Sequence, residues 1–549
     1  MKTLAPSFPA PAVPLRRLPS SPWQLFAIIN CLALLIVAVL LRALDLGNIP
    51  GINGDEAWSG VQALRILKGE TFDWRTPTGN PINFFFMLPL IGLHAALPAS
   101  FALLRVVPLV SGLLALAANY FLCRRAFDTR TALVSTLFLA LAPIDIAYSR
   151  FAWDASQSLL ATVLVLYPAI IHSRHSTSGS PSTLSMAALT AAIIVPPTNV
   201  FAAPLLIVPV IYQQRARIVR RLRRTAIPAK TWTLVALAGG TSMVTLCCWQ
   251  WLKWGAARLH GPTELARFAL DYLRLYSGTT VYEFISGAGG GTTDAWSLLC
   301  APLVCDSMFG LFVVWSLWGT YCRVSGQSTP EDKALVMSWL TMLAAFFVIA
   351  GPGSIEPHFE RYGICLIVPG ALLLSRGVVW WLEQKSPHGH RTVIALVLFA
   401  WFWPASFYAG YSGFFQRTGG RSHFTFRTAA IEPKLSAFRY VLGHRSAATP
   451  TRIVCHEWWN YWPLEYLALA DGNIEVLMWD QWQEQAKSGA GTEHENTWFV
   501  EFSGSAGEAD ALANCRATGL IVEREMICDY AGQGILSVIG PTEKLSQNY

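Results

Sequence analysis

Long apolar runs separated by short polar connectors dominate the pattern along most of the chain. A helix that crosses a membrane needs about 20 mostly apolar residues. On that length the pattern predicts about eleven spans, at residues 23–44, 106–122, 131–147, 156–172, 183–195, 198–213, 231–251, 296–318, 334–350, 362–381 and 391–409. The first run is too long for the apolar core of a signal peptide and lacks a small-residue cleavage site, so we interpret it as a retained anchor.

The pattern changes near residue 418. Short β-type runs alternate with helical stretches near 459–470, 479–487 and 507–517, which predicts a small α/β domain over 418–549. The runs are "TRIVCH", "NIEVLM", "NTWFVEF", "GLIVERE" and "GILSVIG". The predicted fold class is an all-α polytopic membrane domain, residues 23–417, followed by this domain, and the Pro-rich tail 1–22 is predicted to be disordered.

Basic residues are grouped in five connectors between the spans. Lys and Arg in short loops mark the cytoplasmic side, and with the N-terminus inside all five fall there: 123–130, 172–175, 213–224, 321–333 and 383–391. The first outer loop 45–105, the loop 252–295 and the C-terminal domain then lie outside. A crossing by 80–98 would invert this order, so we expect that segment to lie along the interface or re-enter, after an amphipathic helix at about 56–69.

Composition agrees with a chain that mostly faces lipid. Hydrophobic residues make up 53% and charged residues 14%, against about 25% charged in soluble domains. The net charge of +7 resides in the connectors, so we interpret it as a topology signal and expect membrane lipids, not nucleic acid, as partners. The cysteines form no zinc or CxxC pattern, although any two of Cys455, Cys515 and Cys528 could form a disulfide outside the cytoplasm.

The first candidate site is the acid pair Asp55 and Glu56 in "NIPGINGDEAWSG". Acids at this position also suit the N-terminus of a helix, where the dipole and free N–H groups favour them. The pair is therefore either a helix cap, a catalytic pair, or both, because a capping carboxylate is held in place.

Further polar clusters lie at the ends of other spans on the same predicted side. Arg150 and Asp154 are four residues apart in "IAYSRFAWDASQ", where a surface ion pair is the alternative. Snorkelling toward the interface is the alternative for Arg105. It also accounts for two residues of the cluster Glu356, His358, Glu360, Arg361 and Tyr362.

These clusters converge at one membrane face. A transporter more typically places its ionisable groups near the bilayer midplane, within spans. Arginine forks bind phosphate well, and a carboxylate can accept the proton of an acceptor hydroxyl. The arrangement therefore indicates a reaction at the outer interface on an amphiphile with an anionic head, such as a polyprenyl-phosphate sugar.

Three stretches resemble a known family. "GDEAW", "LLRVVPLVSGLLALAANYFLCRRAFDTRTALVSTLFLALAPIDIAYSRFAWD" and "HFERYGICLIVP" look like the GT-C fold glycosyltransferases, specifically the protein O-mannosyltransferases and lipid A aminoarabinose transferases. The resemblance covers about 45–370, and the C-terminal domain has only an architectural match. The loop 252–295 is too short for the β-trefoil insertion of the protein O-mannosyltransferases, and "FAWD" copies neither subfamily's motif closely.

The resemblance implies inverting transfer of a sugar from a polyprenyl-phosphate donor to a lipid, glycan or protein acceptor. It implies that Asp55 is the general base, and that Glu56 supports it or helps to bind the acceptor or a metal. Members of the family differ in whether a divalent metal is needed, and a metal, if used as cofactor, would bind Asp55 and Glu56. The implied phosphate contacts are Arg105, Arg150, Arg361, His358 and Tyr362, with Asp154, Glu360 and Asn80 in support.

The sequence also allows other interpretations. The chain could be a non-enzymatic carrier of lipid-linked glycans or a secondary transporter. The glycine run in "SGAGGGTTD" (286–294) either hinges a lid over the site or is a plain connector. The aromatic string "CHEWWNYW" (455–462) either stacks on sugar rings, lies on the bilayer or packs the core of the small domain.

Overall fold

A computed structural model describes residues 22–77, 79, 81–175, 183–212, 261–288, 295–326, 329–384, 389–421, 426–445, 450–487, 496–518 and 521–541. Within these residues, seven helices are long and apolar enough to cross a membrane. They are Leu25–Ala43, Phe101–Ala126, Asp154–Ile171, Pro302–Gly326, Pro330–Ile349, Glu360–Glu383 and Arg391–Thr418.

Each of these seven helices lies at a predicted span, and shorter apolar helices lie at three more: Thr129–Leu141, Thr183–Ile194 and Pro197–Tyr212. The predicted span 231–251 and the tail up to residue 21 fall outside the described residues. The helix Phe84–Ala96 has 13 residues, too few to cross a bilayer upright. The predicted class of a polytopic helical membrane protein with a small C-terminal sheet is confirmed.

The predicted span 131–147 is wrong in one respect, because it is two helices rather than one. Thr129–Leu141 ends at Ala142, which has β-region dihedrals (φ −61°, ψ 119°), and Pro143–Tyr148 begins immediately afterwards. Pro143 has no N–H to donate and disfavours helical dihedrals in the residue before it. The second helix carries Asp145, which forms a buried ion pair with Arg42 of the first span at 2.6 Å.

The bounds of the other helices, and of the individual helical segments within the long apolar ones, follow. They are Pro22–Ala43, Gly54–Lys68, Phe101–Leu104, Val106–Ala126, Ser158–His175, Pro262–Ser277, Thr279–Val281, Ala295–Cys300, Ile367–Glu383, Gly389–Phe407 and Gly413–Thr418, with 3-10 turns at Asp154–Gln157, Pro197–Ala202, Pro352–Ile355 and Glu360–Leu366. We call Gly54–Lys68, which begins with the acid pair, the motif helix.

The loop considered as a lid contains the helix Pro262–Ser277. Hydroxyls of Tyr272 and Tyr276 donate to the carbonyl of Leu366, so this helix packs on the segment that carries Arg361. The glycine run that would hinge a lid lies mostly outside the described residues.

The C-terminal domain is built on a mixed five-stranded sheet. Its strands β1 (Thr451–Cys455), β2 (Ile474–Met478), β3 (Thr497–Phe502), β4 (Val522–Cys528) and β5 (Gly534–Pro541) lie in the order β2-β1-β3-β5-β4. β1 pairs in parallel with β2 and β3, and β5 runs antiparallel to β3 and β4. The helices are Pro433–His444, Trp458–Asp471, Trp479–Lys487 and Ala506–Ala517. Cys455, Cys515 and Cys528 are free thiols.

The C-terminal domain packs directly on the motif helix, and one hydrophobic core includes residues of both. Two glycines make this close approach possible. A Cβ on Gly54 would lie 2.8 Å from the ring of Trp458, and one on Gly60 would lie 2.7 Å from the ring of Tyr466. At the other end of the motif helix, Arg65 forms an ion pair with Glu465 at 2.9 Å.

Candidate functional site

The motif helix is fixed at its N-terminus by a capping box. The Asn53 side chain accepts from the Glu56 backbone N–H at 3.0 Å, and the Glu56 carboxylate accepts from the Asn53 N–H at 3.4 Å. This reciprocal pair satisfies two N–H groups that a helix start would otherwise leave free. Of the two acids, Glu56 is therefore the one whose side chain caps the helix.

Glu56 and Arg105 form a fully buried bidentate ion pair. Arg105 donates from Nε to Oε2 of Glu56 at 2.8 Å and from Nη2 to Oε1 at 2.7 Å. The backbone N–H of Ala152 donates to the same Oε2 at 2.8 Å. Both side chains are 0% exposed, so both oxygens of the Glu56 carboxylate are occupied by protein donors.

Arg105 and Arg150 hold the backbone of the loop that precedes the motif helix. Arg105 donates to the carbonyls of Leu46, Pro50 and Gly51 at 3.0, 2.8 and 3.3 Å. Arg150 donates to those of Asp45 and Ile49 at 3.3 and 2.6 Å, and to Leu41 and Arg42 at the end of the first helix. The two arginines thus lie behind the acid pair, with their donors directed into the protein.

Asp55 instead faces a cavity of ≈ 350 Å³ that opens next to the motif helix. Asp154, Arg361 and Tyr362 line the same cavity. The rest of its wall is formed by Trp58, Ser59, Thr76, Pro77, Pro81, Ile82, Asn83, Phe86, Met87, Ala152, Trp153, Ala155, Pro196, Pro197 and Thr198. Four of the residues singled out from the sequence therefore share one volume, although they come from three separate stretches of the chain.

Arg361 is oriented by two aromatic rings. Its guanidinium carbon lies 5.4 Å from the ring centroid of Trp153 and 5.1 Å from that of Tyr362, and Nη2 donates to the Tyr362 hydroxyl at 3.3 Å. No carboxylate oxygen among the described residues lies within 4.0 Å of its nitrogens. Cation–π contacts hold the side chain without neutralising its charge, so Arg361 offers the cavity a positive charge.

Burial raises the pKa of Asp55 to about 6, and the positive charge of Arg361 acts in the opposite direction. The negative charges of Asp154 and Glu56 raise the pKa further. A carboxyl with this pKa is mostly ionised near neutral pH, yet is a stronger base than an exposed aspartate, which is what general base catalysis requires.

The acid pair does not fit a shared metal ion. Glu56 already accepts from Arg105, Asn53 and Ala152, which leaves Asp55 and Asp154 as the carboxylates that face the cavity. No group of three or more His, Cys, Asp and Glu side chains in the described part of the chain is placed to hold a metal.

Two other predicted residues lie away from the cavity, and a third is outside the described residues. His358 is exposed, has a positive φ of 83°, and contacts the Phe284 ring at 4.3 Å rather than the cavity. Glu360 is fully buried and accepts from the Tyr148 hydroxyl at 2.7 Å. Asn80 lies outside the described residues, between Gly79 and the cavity residue Pro81.

Trp153 and Asn83 are two of the cavity residues that the sequence did not single out. Trp153 lies next to Asp154 in "FAWD", where it could have been noted as a ring beside two charges. Asn83 caps the helix Phe84–Ala96 and donates to Gln157 at 2.9 Å. An N-cap signal in "NPINFFF" was available, but nothing local indicated that this cap would face Asp55.

Comparison with known proteins finds similarity only to solved structures. No family model and no curated protein matches the chain. ArnT from Cupriavidus metallidurans in the apo state is 12% identical with a TM-score of 0.47, covering 94% of this chain and 98% of that one. The same protein bound to undecaprenyl phosphate is 13% identical with a TM-score of 0.43, covering 96% of this chain and 99% of that one. The archaeal oligosaccharyltransferase AglB from Archaeoglobus fulgidus, in complex with an inhibitory peptide and a dolichol-phosphate, is 12% identical with a TM-score of 0.49, covering 88% of this chain and 70% of that one.

Proposed function

We propose that this protein is a membrane glycosyltransferase of the GT-C type that transfers a hexose or pentose from a polyprenyl-phosphate donor to a lipid, glycan or protein acceptor. The observation that supports it best is the shared cavity, in which one carboxylate of raised pKa and one arginine without a carboxylate partner face the same volume. At ≈ 350 Å³ the cavity is large enough for a sugar and its phosphate.

In the proposed reaction, Asp55 accepts the proton of the acceptor hydroxyl as its oxygen attacks the anomeric carbon of the donor. The bond between that carbon and the phosphate oxygen breaks, and its electron pair stays on the phosphate. Arg361 binds the phosphate and stabilises the charge that grows on the leaving oxygen. Attack opposite to the leaving group inverts the anomeric configuration.

Glu56, Arg105 and Arg150 act in this proposal through position rather than contact. The Glu56 carboxylate, the Arg105 guanidinium and the two Nη atoms of Arg150 form their hydrogen bonds within the protein, so they fix where the motif helix begins and therefore where Asp55 lies. The two adjacent acids therefore have different roles in this proposal: Asp55 takes part in the reaction, and Glu56 fixes the position of the motif helix. Asp154 lines the cavity beside Asp55 and raises its pKa.

The test is turnover of purified protein in lipid vesicles with a panel of undecaprenyl-phosphate sugars and a mixture of acceptors. We expect the wild type to consume one donor and Asp55→Asn to lose about 10²–10⁴-fold in turnover. Asp73→Asn is the matched control, since this exposed aspartate lies on the same loop and outside the cavity.

Full turnover by Asp55→Asn would rule out the catalytic role of Asp55. Saturable donor binding by the wild type without consumption of any sugar would favour the non-enzymatic carrier instead.

A further inference from the structure

A buried pair in the C-terminal domain reaches the loop that carries Asp55. Glu432 and Lys434 are both 0% exposed, and Lys434 donates from Nζ to Oε1 of Glu432 at 3.4 Å. Lys434 also donates to the carbonyl of Ile52 at 2.7 Å, while Glu432 accepts from the N–H of Ile52 at 3.3 Å. Both polar backbone groups of one loop residue are therefore bound by this pair.

The pair is itself held firmly. Glu432 is the N-cap of the helix Pro433–His444, and its Oε2 accepts from the N–H groups of Lys434 and Leu435 at 2.7 and 3.0 Å. Its own N–H donates to the Asn48 side chain at 3.2 Å, and nearby the Gly51 N–H donates to the Phe426 carbonyl at 3.3 Å. The first helix of the C-terminal domain and the loop 48–53 are thus joined through several short polar contacts.

Ile52 is three residues before Asp55, and its loop has two sets of buried cations around it. Arg105 and Arg150 hold the carbonyls up to Gly51, and Lys434 holds the carbonyl of Ile52. A buried ion pair is weak evidence for stability, because well-packed apolar residues are often as stable. Because these contacts bind the loop just before Asp55, they indicate that the pair fixes the position of that loop.

We propose that Glu432 and Lys434 are positioning residues for Asp55, so that the C-terminal domain is a working part of the active site. This inference rests on the proposed function for its effect on turnover, and on the hydrogen bonds alone for its effect on the loop. Without Lys434 the Ile52 carbonyl loses its buried donor and the loop relaxes. A misplacement of about 1 Å in a reacting group can cost on the order of 100-fold in rate.

The first experiment compares Lys434→Met with Arg445→Gln in kinetics. The control breaks an ion pair with Asp471 at the opposite end of the same helix, away from the loop. We expect Lys434→Met to lower kcat at least 10-fold and to leave the KM for donor within about 2-fold, because the donor contacts are untouched. Arg445→Gln should match the wild type.

The second experiment measures hydrogen–deuterium exchange of peptides covering residues 46–58 in the same proteins. We expect faster exchange in Lys434→Met than in the wild type or Arg445→Gln. This readout needs no turnover, so it still decides the inference if the wild type consumes no sugar. Unchanged exchange in folded Lys434→Met would overturn the inference.

A double variant tests the proposal if Lys434→Met fails to fold. If Lys434→Met does not accumulate, the double variant Glu432→Gln/Lys434→Met avoids leaving one buried charge alone. A folded double variant with wild-type kcat and wild-type hydrogen exchange would overturn the proposal. A lower kcat at unchanged KM, together with faster exchange of the loop, would support it.

Discussion

At the scale of single residues, two adjacent acids have opposite environments. Successive residues on a helix point about 100° apart, so Asp55 faces the cavity while Glu56 faces Arg105 in the protein interior. Both are carboxylic acids, and their different environments come from neighbours in distant parts of the chain.

The raised pKa of Asp55 predicts the pH dependence of activity. In the proposed reaction the ionised form of Asp55 is the base, so activity should fall as the pH falls through about 6, about tenfold for each unit below it. Arg361, Asp154 and Glu56 are the charged groups that act on Asp55. A profile of kcat/KM between pH 4.5 and 8, measured in vesicles, checks the prediction; a profile that stays flat down to pH 4.5 would contradict it.

The same pKa predicts a gain in stability for Asp55→Asn. Because the pKa is higher in the folded state than in the unfolded state, protonation favours folding, and that stabilisation is lost as the pH rises through about 6. Asparagine stays neutral. We expect the free energy of unfolding of Asp55→Asn to exceed that of the wild type by on the order of 1–3 kcal/mol at pH 8, with a smaller difference at pH 5.

Thermal unfolding of both proteins in detergent at the two pH values tests this. Asp73→Asn again serves as the control, since it should shift the Tm at neither pH. An Asp55→Asn protein less stable than the wild type at pH 8 would contradict the assigned environment.

At the scale of elements, the loop before the motif helix is shaped by cations that bind its carbonyls. Arg105 joins this loop to the Glu56 cap, so cap and loop form one unit. Breaking a buried ion pair by removing one partner typically costs 3–5 kcal/mol. We expect Glu56→Ala to destabilise the protein by about this amount, because it leaves Arg105 charged and unpaired and also removes the capping box.

Chemical unfolding followed by Trp fluorescence measures this loss. Glu56→Gln is the informative comparison, because the amide can keep the cap and accept one hydrogen bond from Arg105; we expect a smaller loss. Equal stability of Glu56→Ala and the wild type would show that the pair does not support the loop.

The elements were predictable where their causes are local. Apolar length predicted the spans, and alternation of strand and helix predicted the C-terminal domain. Among the described residues, Pro143 and Pro302 each begin a second helix inside a predicted span. The roles of the arginines were not predictable in the same way. A sequence shows that Arg105 and Arg150 are near a membrane surface, but their partners are tens to more than a hundred residues away, so the choice between phosphate and protein carbonyls depends on tertiary packing.

At the scale of the whole molecule, the predicted orientation places the C-terminal domain outside and the basic connectors inside. A membrane-impermeant maleimide should label Lys487→Cys, at the end of an exposed helix of the C-terminal domain, in intact cells. Arg124→Cys, in a basic connector, should be labelled only after the membrane is opened. Labelling of Arg124→Cys in intact cells would contradict the predicted orientation. The wild type is the control, because it measures the labelling of the native cysteines.

The contact of Gly54 with Trp458 has a consequence for the order in which the protein matures. The chain is made from its N-terminus, so Asp55 is synthesised and delivered to the membrane roughly 400 residues before the ring that packs beside it. Until the last domain has been made and has folded, the motif helix lacks its partner surface. The proposed site therefore stays incomplete through most of the biogenesis of the polypeptide, and Asp55 reaches its final surroundings only when the C-terminal domain packs on the motif helix.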